Sequence, residues 1–192
     1  MTHYKDLRSY LDALAAIGEL QRISAPVALD LEIGAISRRA GETGQAAPLF
    51  ENIPERPGMR VLGAPGGTSA KHGQWLARIA LAVGLPASAS GREIVEAFAS
   101  ARERPMISPV EVTVGACKEV IHVGDNVDLM LLPAPLLHDG DGGRYMNTFG
   151  IICCETPDKS WRSWSIARIM LVDGKRMAGI IDFFSQNADE ML

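Results

Sequence analysis

The residue best suited to chemistry by its type and position is Arg168, which ends the stretch Ser160–Arg168, S-W-R-S-W-S-I-A-R. A guanidinium group binds a carboxylate through two parallel hydrogen bonds and keeps its charge at any working pH. Arg168 is therefore a candidate for binding an anionic substrate. The alternative is a structural arginine that faces water on a strand through Ile166–Ile169.

A second candidate region is the segment that precedes it, which is dense in turn-forming residues. It contains Gly124–Leu129 (G-D-N-V-D-L), Leu132–Pro135 (L-P-A-P) and His138–Gly143 (H-D-G-D-G-G). Sharply bent loops on a rigid scaffold can aim amides and carboxylates at a ligand, although a plain connecting loop has the same composition. His138 is a candidate ligand or proton donor, but a histidine among turn residues is expected to hydrogen-bond within its loop.

The three cysteines, Cys117, Cys153 and Cys154, form neither a C-x-x-C pair nor an even set. Neighbouring residues on a strand point to opposite faces, so Cys153 and Cys154 are not expected to pair with each other. We expect reduced, packed cysteines.

Four amphipathic helices are expected in the first half of the chain, with short strands between them. Their ends are marked by Asp6 and Gly18 for the first, Asp30 and Gly41 for the second, Ser69 for the start of the third, and Ser90 with Glu93 for a capping box on the fourth. Strands are expected at Pro48–Ile53 and Arg60–Gly63.

The pattern changes to a period of two from Pro109 onward. Strands are expected through Val110, Val112 and Val114, and at Val120–Val123, Thr148–Cys154 and Ser165–Val172. Asp173-Gly174 predicts a hairpin with a type I′ turn that joins Ile169–Val172 to Met177–Ile181. The predicted fold class is therefore α+β, with an N-terminal α/β domain over residues 1–105 and a mostly β part after it.

Composition excludes several classes of protein. The chain has 192 residues, of which 47% are hydrophobic, so a disordered chain is not expected. Its net charge of -4 leaves no basic surplus for a nucleic acid or an anionic membrane surface. Because no apolar run approaches the ~20 residues of a spanning helix and no secretory signal is visible, we expect a cytoplasmic protein.

Five motifs occur in a fixed order, and together they resemble one family. They are G-D-N-V-D-L, L-P-A-P, H-D-G-D-G-G-R-Y, N-T-F-G and S-W-S-I-A-R. In this order they resemble the UbiD-like prenylated-FMN-dependent decarboxylases, most of all the ferulic acid decarboxylase branch. The resemblance also covers Tyr4–Arg8 and Gly18–Leu20, and it extends from the N-terminus to about Ile181.

The resemblance implies an N-terminal α/β domain, then part of a split β-barrel that binds the flavin over residues 106–181, and a divergent tail over residues 182–192. It further implies the reversible loss of CO2 from an acrylic or aromatic acid, with prenylated FMN, Mn²⁺ and K⁺ as cofactors. The implied partners are a small carboxylic acid substrate, a flavin prenyltransferase that supplies the cofactor, and further copies of the chain in a homo-oligomer.

The resemblance also assigns site residues. Arg168 falls on the family's catalytic arginine, and the cofactor-binding positions are Ser163, Trp164, Ser165, Ile166, Ala167, Arg168, Ser185 and Gln186. Two metal positions are substituted: Ser163 stands where the family has asparagine, and Gln186 stands where it has histidine. A shift of one residue would place Asn187 there instead, and neither choice supplies an imidazole.

Relatives in the family continue beyond Leu192, and their further part holds another metal ligand and two catalytic glutamates. This leaves alternatives open: a truncated, non-catalytic remnant or flavin-domain subunit that acts through protein–protein interaction, a foreign tail after Ile181, or a plain FMN oxidoreductase. Self-association is expected through apolar residues near the end, which are Ile180, Ile181, Phe183 and Phe184.

Overall fold

A computed structural model describes residues 4–105, 107, 108, 110–148 and 150–179. Within these residues the chain forms two compact units. The first unit comprises residues 4–26, 35–52 and 60–122, and the second unit comprises residues 27–34, 53–59 and 123–179. Two early segments thus group with the later part of the chain. The domain boundaries at residues 105 and 181 stay predictions.

The first unit is a mixed α/β structure around a three-stranded sheet. Its strands are β1 (Leu20–Ile23), β2 (Ala47–Phe50) and β3 (Val61–Leu62), in the order β1-β2-β3. β1 and β2 are parallel, with Leu20 opposite Ala47, and β2 and β3 are antiparallel. Strand β2 is buried along its whole length, as a central strand requires.

Four α-helices are described, and they are α1 (Leu7–Ala16), α2 (Glu32–Glu42), α3 (Ala77–Ala82) and α4 (Gly91–Arg102). They belong to the first unit except for the start of α2, up to Gly34, which belongs to the second. The caps of α1 and α4 confirm the sequence prediction, because the side chains of Asp6 and Ser90 accept hydrogen bonds from the backbone N–H groups of Ser9 and Glu93. Gly18 follows α1 with a φ of 68°, which favours glycine. No helix within the described residues is long and apolar enough to cross a membrane.

The predicted start of the third helix at Ser69 is wrong. α3 begins at Ala77, and Gly73 interrupts the segment with a φ of 72°. Ser69 is buried and donates a hydrogen bond from its hydroxyl group to the Glu19 carboxylate, with a distance of 2.7 Å. The Ser69 side chain therefore bonds to the distant Glu19 and does not cap the helix that the local pattern predicts.

A buried charged cluster stabilises the first unit. Arg78 is completely buried, and its Nε donates to Oε2 of Glu19 at 2.9 Å, while its two Nη groups donate to the carbonyl oxygens of Ala64 and Gln45. Lys71 lies at the edge of the cluster, with Nζ 3.4 Å from Oε1 of Glu19. The carboxylate and the guanidinium thus satisfy each other away from water.

Tyr10 of α1 joins this cluster from the helix side. Its hydroxyl group lies 3.0 Å from the carbonyl oxygens of both Pro65 and Arg78. Burial raises the pKa of the Tyr10 phenol to about 12, because the phenolate would lose its hydration there.

The second unit contains two antiparallel sheets. The first has the order β4-β7-β8, formed by β4 (Tyr145–Asn147), β7 (Ile169–Leu171) and β8 (Met177–Gly179). The second pairs β5 (Ile151–Glu155) with β6 (Arg162–Ile166). The mixed α/β character of the prediction is confirmed, and no closed barrel is found among the described residues.

The predicted hairpin is confirmed, but its turn type is wrong. β7 and β8 are antiparallel, with Leu171 opposite Met177, so five residues connect them. Neither Asp173 nor Gly174 has a positive φ, which a type I′ turn requires at both positions. The Asp173 carboxylate instead accepts hydrogen bonds from the N–H groups of Lys175 and Arg176, both at 2.9 Å.

The strands predicted through Val110–Val114 and Val120–Val123 are also wrong within the described residues. Residues 110–114 and 120–123 have no strand structure, and Val110 and Val114 are 85% and 82% exposed. Ala116–Lys118 forms a short 3-10 helix, so Cys117 and Lys118 do not lie on a strand. A strand needs a partner for its N–H and C=O groups, and alternation of side chains does not supply one.

The cysteines are free, as predicted, but they are not all packed. Cys117 and Cys153 are exposed, and Cys154 is half-buried. The alternation of Cys153 and Cys154 follows the two faces of β5. The prediction of packed thiols is therefore wrong for two of the three.

Candidate functional site

An open cleft of about 520 Å³ lies in the second unit, and the predicted segment Ile166–Arg168 forms part of its wall. The rest of the lining comes from the sheet β4-β7-β8, and it consists of Tyr145, Met170, Ala178 and Gly179. Arg168 is thus the cation in a lining that is otherwise apolar or phenolic. Such a composition suits a ligand that combines apolar surface with an anionic group.

The cleft exists because the chain changes sheets at Ala167 and Arg168. β6 ends at Ile166, where it pairs with β5, and β7 begins at Ile169, where it pairs with β4 and β8. Only two residues make this connection. Their backbone is therefore held at both ends, and they face the space between strands of different sheets.

Arg168 is exposed to solvent in the cleft. No ion pair joins its guanidinium group to an acidic residue in the described part of the chain. An arginine whose charge is not offset by a neighbouring carboxylate can bind an anion from solution. Arg168 lies in the connection between β6 and β7 and not within a strand, so it differs from the strand arginine of the alternative prediction, although it does face solvent.

Close backbone packing shapes two sides of the cleft. A Cβ atom added to Gly179 would lie 3.3 Å from the carbonyl oxygen of Arg168, and one added to Gly143 would lie 3.0 Å from Sδ of Met170. Gly143 belongs to the turn-rich H-D-G-D-G-G segment. This loop therefore reaches a residue of the cleft wall, although His138 itself does not line the cleft.

His138 hydrogen-bonds within its loop, as predicted. Its backbone N–H donates to the Asp141 carboxylate at 3.1 Å, and its Nδ1 lies 3.3 Å from the same oxygen. These contacts close the turn between His138 and Asp141.

The other predicted cofactor positions on β6 lie on two different faces of the strand. On β6, Ser163 and Ser165 are half-buried on one face, whereas Trp164 and Ile166 are exposed on the other. Of these, Ile166 lines the cleft, while Ser163, Trp164 and Ser165 do not. Ser185 and Gln186 lie outside the described residues.

The β5–β6 hairpin that holds this strand is closed by Asp158. Its carboxylate accepts hydrogen bonds from the Thr156 hydroxyl group at 2.6 Å and from the N–H and hydroxyl groups of Ser160 at 3.1 and 2.8 Å. These hydrogen bonds lower the pKa of Asp158 to about 2, and the bond from Thr156 makes the largest contribution. The turn thus fixes where β6 begins.

Four cleft residues were missed from sequence: Tyr145, Met170, Ala178 and Gly179. Tyr145 ends the motif H-D-G-D-G-G-R-Y, so a signal for it was present. Ala178 and Gly179 follow from the hairpin, because the pairing of Met170 with Ala178 and of Ile169 with Gly179 sets β8 against β7.

In the described part of the chain, no group of three histidine, cysteine, aspartate or glutamate residues converges into a metal site. Ser163 would offer a hydroxyl oxygen only.

Comparison with family models matches most of the chain. Residues 11–98 match the N-terminal domain of 3-octaprenyl-4-hydroxybenzoate carboxy-lyase, and residues 109–190 match the Rift-related domain of the same family, UbiD. The two domains follow each other in the order that the motifs indicate.

Curated relatives are decarboxylases. The chain is 44% identical over 175 residues to pyrrole-2-carboxylic acid decarboxylase of Pseudomonas aeruginosa, covering 91% of this chain and 35% of the relative. It is 35% identical over 180 residues to ferulic acid decarboxylase 1 of Saccharomyces cerevisiae, covering 92% of this chain and 36% of the relative. The chain thus spans about a third of the length of these relatives.

Solved structures share the fold. The vanillic acid decarboxylase of Sedimentibacter hydroxybenzoicus in its closed form has a TM-score of 0.82 at 25% identity, covering 98% of this chain and 40% of that one. An evolved dimeric form of the UbiD-class enzyme HmfF from Pelotomaculum thermopropionicum, in complex with prFMN, has a TM-score of 0.72 at 28% identity, covering 91% and 38%. Since both UbiD domains match in order and the fold agrees, the chain belongs to the UbiD family.

Proposed function

We propose that this chain forms the flavin-binding part of a carboxy-lyase that removes CO2 reversibly from an acrylic or aromatic acid with prenylated FMN. The observation that carries the proposal is the cleft in which Arg168 presents its charge beside apolar walls. The decarboxylase relatives support the reaction class, and the prFMN complex of HmfF supports the cofactor.

The cleft fits such a cofactor in size and chemistry. Its volume of about 520 Å³ falls within the range of small-molecule sites, roughly 300–1,000 Å³. Ile166, Ala167 and Met170 provide apolar surface for a ring system. By resemblance, Ser163, Trp164 and Ser165 also belong to the cofactor segment, together with Ser185 and Gln186 beyond the described residues.

In the proposed reaction, Arg168 binds the substrate carboxylate and orients the bond that breaks. When bound, prenylated FMN supplies an electron sink for the pair left on the substrate carbon as CO2 departs. A proton must then be returned to that carbon. The described cleft lining contains no carboxyl group, so the acid is proposed to come from another part of the polypeptide or from another chain.

The metal is a weaker part of the proposal. A hard cation prefers carboxylate and carbonyl oxygen ligands, and Ser163 offers only a hydroxyl group. We expect Mn²⁺ and K⁺ to bind this chain weakly unless residues beyond the described ones contribute. The split barrel, the homo-oligomer and the flavin prenyltransferase that supplies the cofactor also remain proposals.

A second candidate is a non-catalytic subunit that keeps the fold and contributes an interaction surface. The observation that favours it is the exposed apolar face of the β5–β6 sheet, where Ile151, Trp164 and Ile166 are 58%, 65% and 63% exposed. A face of this kind is typical of a surface covered by a partner.

The test is to co-express the chain with a flavin prenyltransferase, record the absorption spectrum of the purified protein, and measure CO2 release from a cinnamic-type acid and from pyrrole-2-carboxylate. Retained flavin with CO2 release supports the carboxy-lyase. Retained flavin without CO2 release favours the non-catalytic subunit, and a colourless protein contradicts the flavin-dependent carboxy-lyase.

Arg168→Met and Arg176→Met form a matched pair for a titration of the purified protein with FMN. Arg176 is exposed at the tip of the β7–β8 hairpin and is paired with Asp173. By resemblance Arg168 is also one of the cofactor-binding positions. Because a hydrogen bond to a charged group contributes about 1.5–3 kcal/mol, Arg168→Met is expected to weaken FMN binding about tenfold or more. Arg176→Met should leave the affinity unchanged, and equal effects of the two variants would argue against a role for Arg168.

A further inference from the structure

The connection that carries Arg168 is held by a side chain from a different strand. Nδ2 of Asn147, at the end of β4, donates a hydrogen bond to the carbonyl oxygen of Ala167 with a distance of 2.9 Å. Ala167 is the first of the two residues between β6 and β7. This bond therefore reaches the backbone directly before Arg168.

The strand that carries Asn147 is distorted at the same place. Tyr145 lies opposite Met170 and Asn147 lies opposite Ile169, so two residues of β4 advance against one of β7. A bulge of this kind re-aims a side chain and is frequent next to functional sites. Here it lets Tyr145 line the cleft while Asn147 turns toward Ala167.

Gly150 makes room for the Asn147 side chain. A Cβ atom at position 150 would lie 1.6 Å from Oδ1 and 2.5 Å from Cγ of Asn147. Gly150 has no positive φ, so its backbone conformation does not demand glycine. The space that the amide group occupies accounts for the absence of a side chain, and the two ends of the motif N-T-F-G thus act together.

The geometry points to Asn147 as a positioning residue, which fixes the Ala167–Arg168 connection through the Ala167 carbonyl and so aims Arg168 into the cleft. Only the identity of the ligand that fills the cleft rests on the proposed function. Asn147 itself does not line the cleft, and it acts through the backbone of its neighbour.

Two substitutions separate hydrogen bonding from filling of space. Asn147→Asp keeps the shape of the side chain but replaces the donor with an oxygen that repels the Ala167 carbonyl. Asn147→Ala removes both the hydrogen-bond donor and most of the side-chain volume. If the hydrogen bond positions the connection, both variants increase amide hydrogen exchange in the segment 166–170, by about fivefold for the loss of a bond worth ~1 kcal/mol. If the side chain only fills space, Asn147→Asp behaves like the unchanged chain.

Asn126→Asp is the control for the added charge, since Asn126 is exposed in the short 3-10 helix Gly124–Asn126 of the same unit. No residue of the segment Gly124–Leu129, once a candidate ligand region, lines the cleft. Asn126→Asp should leave exchange in the segment 166–170 unchanged. In case a variant does not fold, the unchanged chain supplies a direct measurement: an NMR scalar coupling across the bond from the Asn147 amide to the Ala167 carbonyl carbon. Absence of that coupling in the folded chain, or unchanged exchange in Asn147→Asp, would overturn the inference.

Gly150→Ala tests the coupling between the two ends of the motif. Gly150→Ala is expected to destabilise the protein in the wild-type background. It should be tolerated in the Asn147→Ala background, because the Asn147 amide group no longer occupies the space there. Equal effects of Gly150→Ala in both backgrounds would contradict the shared-space argument.

FMN titration, followed by quenching of flavin fluorescence, links the inference to the site. Asn147→Asp is expected to raise the FMN dissociation constant about fivefold, and Asn126→Asp to leave it unchanged. If the unchanged chain does not bind FMN while the exchange result is as expected, the proposed function fails and the positioning role of Asn147 stands.

Discussion

Replacing Arg78 by methionine is expected to destabilise the first unit more than any change at an exposed arginine. Methionine has a similar length but no charge and no donor. The change leaves the Glu19 carboxylate, which is only 2% exposed, without the guanidinium group at 2.9 Å. It also removes a donor from the Gln45 carbonyl oxygen.

The magnitude follows from these contacts. Removing one partner of a buried ion pair costs about 3–5 kcal/mol, because the other charge stays buried without compensation. Two contacts reduce the loss: Ser69 still donates to Glu19 at 2.7 Å, and Nζ of Lys71 lies 3.4 Å away. The Ala64 carbonyl oxygen keeps a second donor, the N–H of Gly67 at 3.0 Å. We therefore expect a loss of about 4 kcal/mol in the free energy of unfolding.

The assay is urea unfolding followed by far-UV circular dichroism, with Arg92→Met as the matched control. Arg92 pairs with Glu96 at 2.8 Å on the surface of α4, where the two side chains are 86% and 60% exposed. An exposed pair of this type contributes about 0.3–0.5 kcal/mol. The double variant Glu19→Leu with Arg78→Met should recover part of the stability lost in Arg78→Met, because no uncompensated charge is left in the interior.

The reasoning would be refuted by a loss below about 1 kcal/mol in Arg78→Met, which is the range of exposed pairs. It would also be refuted if the effects of Glu19→Leu and Arg78→Met were additive. Should Arg78→Met fail to fold, Arg78→Lys keeps the charge and allows a smaller loss to be measured.

Three further predictions concern other contacts. The raised pKa of Tyr10 favours the neutral phenol in the fold, so its contribution to stability is present below pH 10 and is lost as pH rises through about 12; ultraviolet titration at the tyrosinate band should show this shift, and Tyr10→Phe should remove it. Gly34→Ala should destabilise the second unit by more than about 2 kcal/mol in urea unfolding, because the new Cβ would lie 2.0 Å from the Leu137 carbonyl oxygen; a neutral effect would contradict this packing. Ser90→Ala should cost about 1 kcal/mol through loss of the cap on Glu93, and Ser90→Gly should cost only a few tenths, a difference measurable by thermal unfolding.

Much of the fold was predictable where its cause is local. Asp6 and Ser90 cap helices because the hydrogen bonds that they accept come from residues three positions away. The β7–β8 hairpin was predictable for the same reason, since its strands are neighbours along the chain. The turn type was not, because the Asp173 carboxylate competes for the backbone donors.

The strands predicted after Pro109 show where local pattern fails. Val110, Val112 and Val114 alternate as a strand should, yet their backbone meets no partner among the described residues. Side-chain alternation states which face would be buried, whereas pairing depends on what lies opposite. The third helix fails for a related reason, since Ser69 is held by Glu19, 50 positions away.

For the candidate site, the sequence alone determined the family motif and indicated Arg168 as a candidate, because residue types and their order are written in the chain. Tertiary structure decided that Arg168, Ile166 and Tyr145 share one cleft and that Ser163 and Trp164 of the same motif do not line it. It also decided that Asn147 hydrogen-bonds Ala167, 20 positions away. The physical reason is that the cleft and the bond from Asn147 join residues that are far apart along the chain. They approach only when the strands pair, and no local pattern specifies that pairing.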